Sequence, residues 1–524
     1  MNSIVRGVLS AAMLLILSVF SNVSCAYQAD AQPAETNQTP LPHQSIASEG
    51  TVTVGGNKIP YLAETGLMNL NTSDVQEPVI SLFYVAYFKK TQRGDRIRPI
   101  TFIYNGGPGS ASVWLHMAAL GPKRVALIPP QTNQLTSTPL KDNTFSLLDV
   151  SDLVFIDAPG TGYSRFISNA GSAEERAQQK ADSAKSVYSI RGDAGAFTQF
   201  IVQFLTTYQR WDAPKYLLGE SYGTTRTIAL AQELKKREID VNGIILLSAF
   251  LNFNIDNNDA GNNPGIDQSY FLTLPSYAAT AWYYHRLAAG FQNLPALLQQ
   301  VETFANGPYA QALIQGNALK KADRLQIARQ LSQFTAIPAD VWLRANLRLS
   351  VDAFVKRLLQ NSGQVVSKYD TRYSGPEIDS LSMPADYDPL PGTLGPSLVA
   401  QFHRYLQSSL RWQSDEDYHV STDASWYWNL NSERGVGRFN LLPDLAQVMK
   451  MNPAMRVLVM GGIYDLSTPW YVARYDMMHL PVPDSLMKNI SYSAGESGHL
   501  PYADEAGLKK LHADISAFIG NTGS

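Results

Sequence analysis

Five short runs of nearly unbroken apolar residues constrain this chain more than any other feature. They are Ile100–Tyr104, 153–156, 216–218, 244–247 and 457–460, and several close on glycine-rich loops. A strand with one wet face alternates apolar and polar residues. Runs without alternation predict strands covered on both faces. Helical stretches at 194–208 and 225–237 lie between them. Strands alternating with helices predict a mainly parallel sheet flanked by helices, an α/β fold. β-rich segments at 51–54, 61–63 and 80–87 predict an antiparallel opening to that sheet. Of the 524 residues, 45% are hydrophobic, which supplies a large core and excludes a chain disordered as a whole.

From about 253 to 438 the rhythm breaks. Helical windows at 296–304 and 322–334 accompany an aromatic cluster of Tyr270, Phe271, Tyr277, Trp282, Tyr283 and Tyr284. The expectation is a mostly helical insertion over one end of the sheet. Its aromatics read first as packing and second as a pocket lining. The resulting organisation is a signal peptide at 1–25, a linker at 26–48, the first part of the core at 49–252, a cap insertion at 253–438 and the second part of the core at 439–524.

The leader rests on Arg6 followed by an apolar run at 7–20, too short to span a bilayer comfortably and therefore read as an export signal. Residues 27–48 are polar and carry Pro33, Pro40 and Pro42, as a flexible linker would. Cys25 is the only cysteine, so no internal disulfide can form. It stands where a lipidated cysteine would, although Asn22 fits that signal poorly, so a lipid anchor at Cys25 is the second reading. Export without disulfides points to a bacterial periplasm or cell envelope, or to secretion. Forty-two basic against forty-five acidic residues give a net charge of -3, with nothing of a nucleic-acid binder's basic footprint. No His-Glu-x-x-His, Cys/His cluster or nucleotide fingerprint occurs, so neither metal nor cofactor is expected. Oligomeric state is left open.

The strongest chemical signal is Gly219-Glu220-Ser221-Tyr222-Gly223, between an expected strand and an expected helix. This is the nucleophile elbow of the α/β-hydrolase fold, where a serine stands on a tight turn and glycines relieve the crowding. A serine hydroxyl needs a base, and in this fold the chain order is serine, acid, histidine. Asp465 follows the run at 457–460 in Gly461-Gly462-Ile463-Tyr464-Asp465. His499 follows a short strand at 490–493 in Gly495-Glu496-Ser497-Gly498-His499. His512 falls inside the expected last helix at 504–519, His479 has no strand leading into a loop, and Asp157 precedes the serine, so these three read as structural. Tyr104-Asn105-Gly106-Gly107-Pro108-Gly109 offers backbone N–H groups to an oxyanion. The expected donors are the amides of Gly107 and Tyr222.

Taken together, these motifs resemble the serine carboxypeptidase family. The matching pieces are Asn105-Gly106-Gly107-Pro108-Gly109, Ile156-Asp157-Ala158-Pro159-Gly160-Thr161-Gly162-Tyr163-Ser164, the elbow, Asp465 in its loop and Gly498-His499-Leu500-Pro501. They run in family order over roughly 400 residues. The resemblance implies an α/β-hydrolase with a helical cap that removes one residue from a peptide's C-terminus through an acyl-enzyme. It also implies that Asn105, Glu220 and the Gly106 backbone bind the terminal carboxylate, with Glu220 protonated so that it donates. The chain departs from the family at Ser110, where cysteine is usual, and at Leu500, where a larger apolar residue is common. Ala119 stands near where a second glutamate would share a proton with Glu220, so that route to a neutral Glu220 is missing. Rival readings are an esterase or acyltransferase using the same residues, and an inert binding protein that keeps the fold.

Overall fold

The computed structural model describes residues 44–71, 78–92, 96–125, 139–255, 264–379, 382–422 and 438–520. The expected leader, Cys25 and most of the linker lie outside them. The chain opens with β1 (Gln44–Val54), β2 (Asn57–Asn71) and β3 (Pro78–Lys89), followed by β4 (Ile100–Tyr104), β5 (Asp152–Ile156), β6 (Lys215–Glu220) and β7 (Gly243–Leu247). The insertion then contributes a small hairpin, β8 (Gln364–Val366) with β9 (Ser374–Pro376), before β10 (Arg456–Gly462) and β11 (Ile490–Gly495) complete the main sheet. The sheet order is β1-β2-β3-β5-β4-β6-β7-β10-β11, and Arg165–Phe166 pairs with β3. β1 to β3 are antiparallel, as is the β3–β5 pair; every pair from β5 to β11 is parallel.

The linker expected at 26–48 ends too late. Residues 44–48 are already strand, paired with 63–67 of β2. The segment reads as polar because β1 is an edge strand, and an edge strand leaves much of its surface in solvent. Ile46 is among its exposed residues.

The unbroken apolar runs are explained by the two faces. Leu217, Ile244 and Leu246 point to one core and Leu218, Ile245 and Leu247 to the other, so consecutive residues are all buried. The first core is covered by α1 (Ile190–Thr207), α2 (Tyr222–Lys236) and, later in the chain, Leu442–Met451. The insertion divides. Its helices α3 (Gln268–Tyr283), α4 (Leu294–Phe304) and α5 (Lys321–Thr335) share a separate core. Within it Tyr277 is buried, and Tyr270, Phe271, Trp282, Tyr283 and Tyr284 pack against its edge. Residues of its helix Pro389–Ser408, such as Leu398, Phe402 and Tyr405, instead join the second core of the sheet, with α6 (Glu505–Gly520). Among the described residues no helix is long and apolar enough to cross a membrane.

Candidate active site

β6 delivers Glu220 and Ser221 to the carboxyl edge of the sheet, and α2 starts one residue later. Ser221 sits at φ 59° and ψ -130°, a region that side chains avoid, and it is half-buried. Its N–H donates to Leu247 O at 2.9 Å and its own C=O accepts from Thr224 N at 2.8 Å, so both ends of the turn are tied. The turn closes only because Gly219 has no side chain: a Cβ there would lie 2.1 Å from Gly223 O.

The loop after β4 lies directly against this turn. A Cβ on Gly106 would meet Tyr222 N and Glu220 O at 2.6 Å each, so Gly106 is needed for the contact. Gly106 is buried and Gly107 exposed, which leaves the Gly107 backbone open toward an incoming group. One buried group anchors the loop from behind, and a buried carboxylate holds that group in turn. Arg226, on α2, donates from Nη1 to Asn105 O at 2.6 Å and pairs with Asp193 at 2.7 Å. Tyr222 donates its hydroxyl to the same Asp193 at 3.2 Å. Neither Asp193 nor Arg226 follows from sequence spacing, since each sits inside an ordinary amphipathic helix.

β10 and β11 deliver the next two residues. His499 Nδ1 lies 2.8 Å from Asp465 Oδ2 and both side chains are buried. The Asp465 side of the ring therefore takes the Nδ1 proton and leaves Nε2 as the acceptor. Asp465 is itself surrounded by donors: Ser467 N and Thr468 N reach Oδ1 at 2.8 and 2.9 Å, and Thr468 Oγ1 reaches Oδ2 at 2.7 Å. Burial works against a charged His499, but the neighbouring Asp465, and Glu220 more weakly, outweigh it and hold the imidazole above its ordinary value. The histidines and the acid set aside from sequence are engaged elsewhere. His512 meets Asp149, His479 meets the Tyr475 carbonyl, and Asp157 accepts from Ser112 and Tyr418.

Glu220 is buried beside Ser221. Asn105 Nδ2 donates to its Oε1 at 3.0 Å and Tyr502 Oη to its Oε2 at 2.7 Å. Burial pushes its carboxyl up to about 7, against the pull of His499, Tyr502 and Asn105. The missing second glutamate is therefore not needed: desolvation does what proton sharing was expected to do. Tyr502 was not foreseen, and its partner is 282 residues away.

This carries a stability prediction. Folded Glu220 keeps its proton to about pH 7, while an unfolded glutamate loses it near 4.5. The group thus favours the fold below about pH 4.5, and that contribution is lost as pH rises through about 7. Glu220→Gln removes the titration. Urea unfolding at pH 8 is expected to favour the variant, relative to wild type, by as much as about 3 kcal/mol more than at pH 4.5. An equal difference at both pH values contradicts the assignment.

Comparison with known proteins adds three relations. A family model described as serine carboxypeptidase matches residues 57–319. Among solved structures, the prohormone-processing carboxypeptidase Kex1(delta)p of Saccharomyces cerevisiae is 15% identical over 88% of this chain and 91% of that chain, with a TM-score of 0.52, and shares the fold. Juvenile hormone epoxide hydrolase of the silkworm Bombyx mori is 12% identical, over 88% of this chain and 78% of that one, with a TM-score of 0.33. No curated protein matches significantly.

Proposed function

The chain belongs to the serine carboxypeptidase family and is by that membership a serine-type carboxypeptidase; from this premise we propose that it is exported and releases C-terminal residues from peptides through an acyl-enzyme on Ser221. Ser221 Oγ attacks the scissile carbonyl while His499 Nε2 takes its proton. Asp465 holds the ring and stabilises the imidazolium. The amides of Gly107 and Tyr222 receive the oxyanion. The C–N bond breaks as His499 returns the proton to the leaving amino group. Water then repeats the sequence in reverse roles, and the shortened peptide leaves with a new carboxylate. Asn105, the Gly106 backbone and Glu220 bind the terminal carboxylate of the substrate.

One observation carries this reading: a carboxyl kept protonated up to about pH 7, buried against the nucleophile and already bonded to Asn105. A protonated Glu220 donates to a carboxylate, and an ionised one repels it. The Michaelis constant is therefore expected to rise above about pH 7 as Glu220 ionises. On the acid side kcat falls as His499 takes a proton and stops acting as a base.

The test compares a blocked dipeptide with its C-terminal amide between pH 5 and 9. The amide leaves the buried Glu220–Asn105 pair without its partner. Its kcat/KM at pH 6 is expected to be at least about 10²-fold lower, with the gap closing above pH 7. Equal rates for the two substrates would favour an esterase or acyltransferase instead. Export, to a periplasm or envelope or out of the cell, is tested by the N-terminal sequence and lipid content of the mature protein in cell fractions. The leader predicted from Arg6 and the run at 7–20 supports it.

A further inference from the structure

The stretch 367–373 joins β8 to β9 inside the insertion, yet it grips the two loops that carry Asp465 and His499. Lys368 O accepts from Leu466 N, the amide next to the acid, at 2.9 Å. Tyr369 O accepts from His499 N at 2.6 Å, and Thr371 N donates to Tyr464 O at 3.1 Å. Neighbouring peptide groups of one loop thus hold the residues on both sides of the acid and the base itself. No rotamer change can relax such bonds, so the position of this loop sets how Asp465 and His499 meet.

Charged groups keep the loop in place. Buried Asp370 accepts a two-pronged contact from Arg372, with Nε at 2.9 Å and Nη2 at 2.7 Å. Arg372 Nη1 then reaches across to Glu496 O and to Asp504 Oδ2, each at 2.8 Å. Glu496 lies three residues before His499 and Asp504 five after it, so one guanidinium brackets the histidine loop. Asp370 also packs directly on that loop: a Cβ on Gly498 would stand 2.3 Å from Asp370 Cβ. At the other end Asp388 accepts from Ser367 Oγ at 2.5 Å and Lys368 N at 2.9 Å.

We infer that loop 367–373 is a clasp between the insertion and the sheet that sets the Asp465–His499 geometry, with Arg372 as its positioning residue. The inference rests on the reading of Ser221, His499 and Asp465 given above. The bonds of Arg372 run to Asp370, Asp504 and Glu496, not to the groups assigned to the substrate carboxylate. Its loss should therefore slow chemistry without weakening binding.

Arg372→Met is expected to lower kcat about tenfold to a hundredfold, the cost of a misplacement of about 1 Å, with KM within about twofold. The rate at which a fluorophosphonate labels Ser221 should fall by the same factor, because that reaction uses Ser221, His499 and Asp465 but no peptide carboxylate. Arg372→Lys keeps the charge and loses the fork, and should recover part of both rates. Arg372→Met strands Asp370 without its cation and can impair folding, so Asp504→Asn provides a milder second arm. Its asparagine can still accept from Gly507 N, as Asp504 Oδ1 does. A fall in kcat and labelling of about two- to fivefold at constant KM is expected. Unchanged kcat and labelling in folded Asp504→Asn and Arg372→Lys would overturn the clasp, as would an effect confined to KM. Wild-type protein that resists the label, or Ser221→Ala that takes it equally, would overturn the reading of the nucleophile, and the clasp with it.

Discussion

Asp465→Asn is expected to lower kcat about ten-thousandfold near neutral pH with little change in KM. The hydrogen bonds around Asp465 say why an isosteric change should be so costly. Oδ1 accepts from two backbone amides, Ser467 N and Thr468 N. Those amides can only donate, so the oxygen of an asparagine must take that place. Its NH2 then occupies the position of Oδ2, facing His499 Nδ1. Two donors cannot face each other, and the imidazole must shift its proton to Nε2. That is the nitrogen that has to accept the proton of Ser221. The fold should survive, because the side chain keeps its size and the two backbone bonds. Steady-state kinetics with a blocked dipeptide, alongside a thermal melt, checks the expectation. A loss below about tenfold in folded protein would remove Asp465 from the role given to it.

Ser221→Ala is expected to reduce kcat by about 10⁶-fold and to abolish fluorophosphonate labelling. Ser221→Gly should be equally inactive but more stable than wild type. At φ 59° and ψ -130° the serine holds a backbone conformation that costs a residue with a side chain about 1–3 kcal/mol. Glycine escapes that strain and gives back part of the gain through the greater freedom of the unfolded chain. A net stabilisation of about 1 kcal/mol, read by urea unfolding, is expected. Equal stability of the glycine and alanine variants would mean that the turn is not strained. Labelling that persists in either variant would place the reactive nucleophile elsewhere.

Much of the candidate site is legible in the sequence, because each part is announced by its own neighbours. An apolar run that ends in a glycine turn is a local statement about backbone crowding. The positions of Ser221, Asp465, His499 and the loop at Asn105 all rest on it. The expected order of strands and helices was legible for the same reason. The start of β1 at Gln44 was not, since an edge strand with a wet face looks like a linker. The division of the insertion was also hidden, because helical periodicity marks an apolar face without naming what covers it.

The sequence by itself determined where the chain can place a strained serine, an acid and a histidine, since tight turns and doubly covered strands depend only on residues within a few positions. The folded chain alone decided that Glu220 holds its proton to about pH 7, that Tyr502 braces Glu220 and Arg226 the Asn105 carbonyl, and that loop 367–373 grips Asp465 and His499 together. Desolvation and long-range hydrogen bonds belong to everything packed around a group, and partners hundreds of residues apart leave no spacing to read.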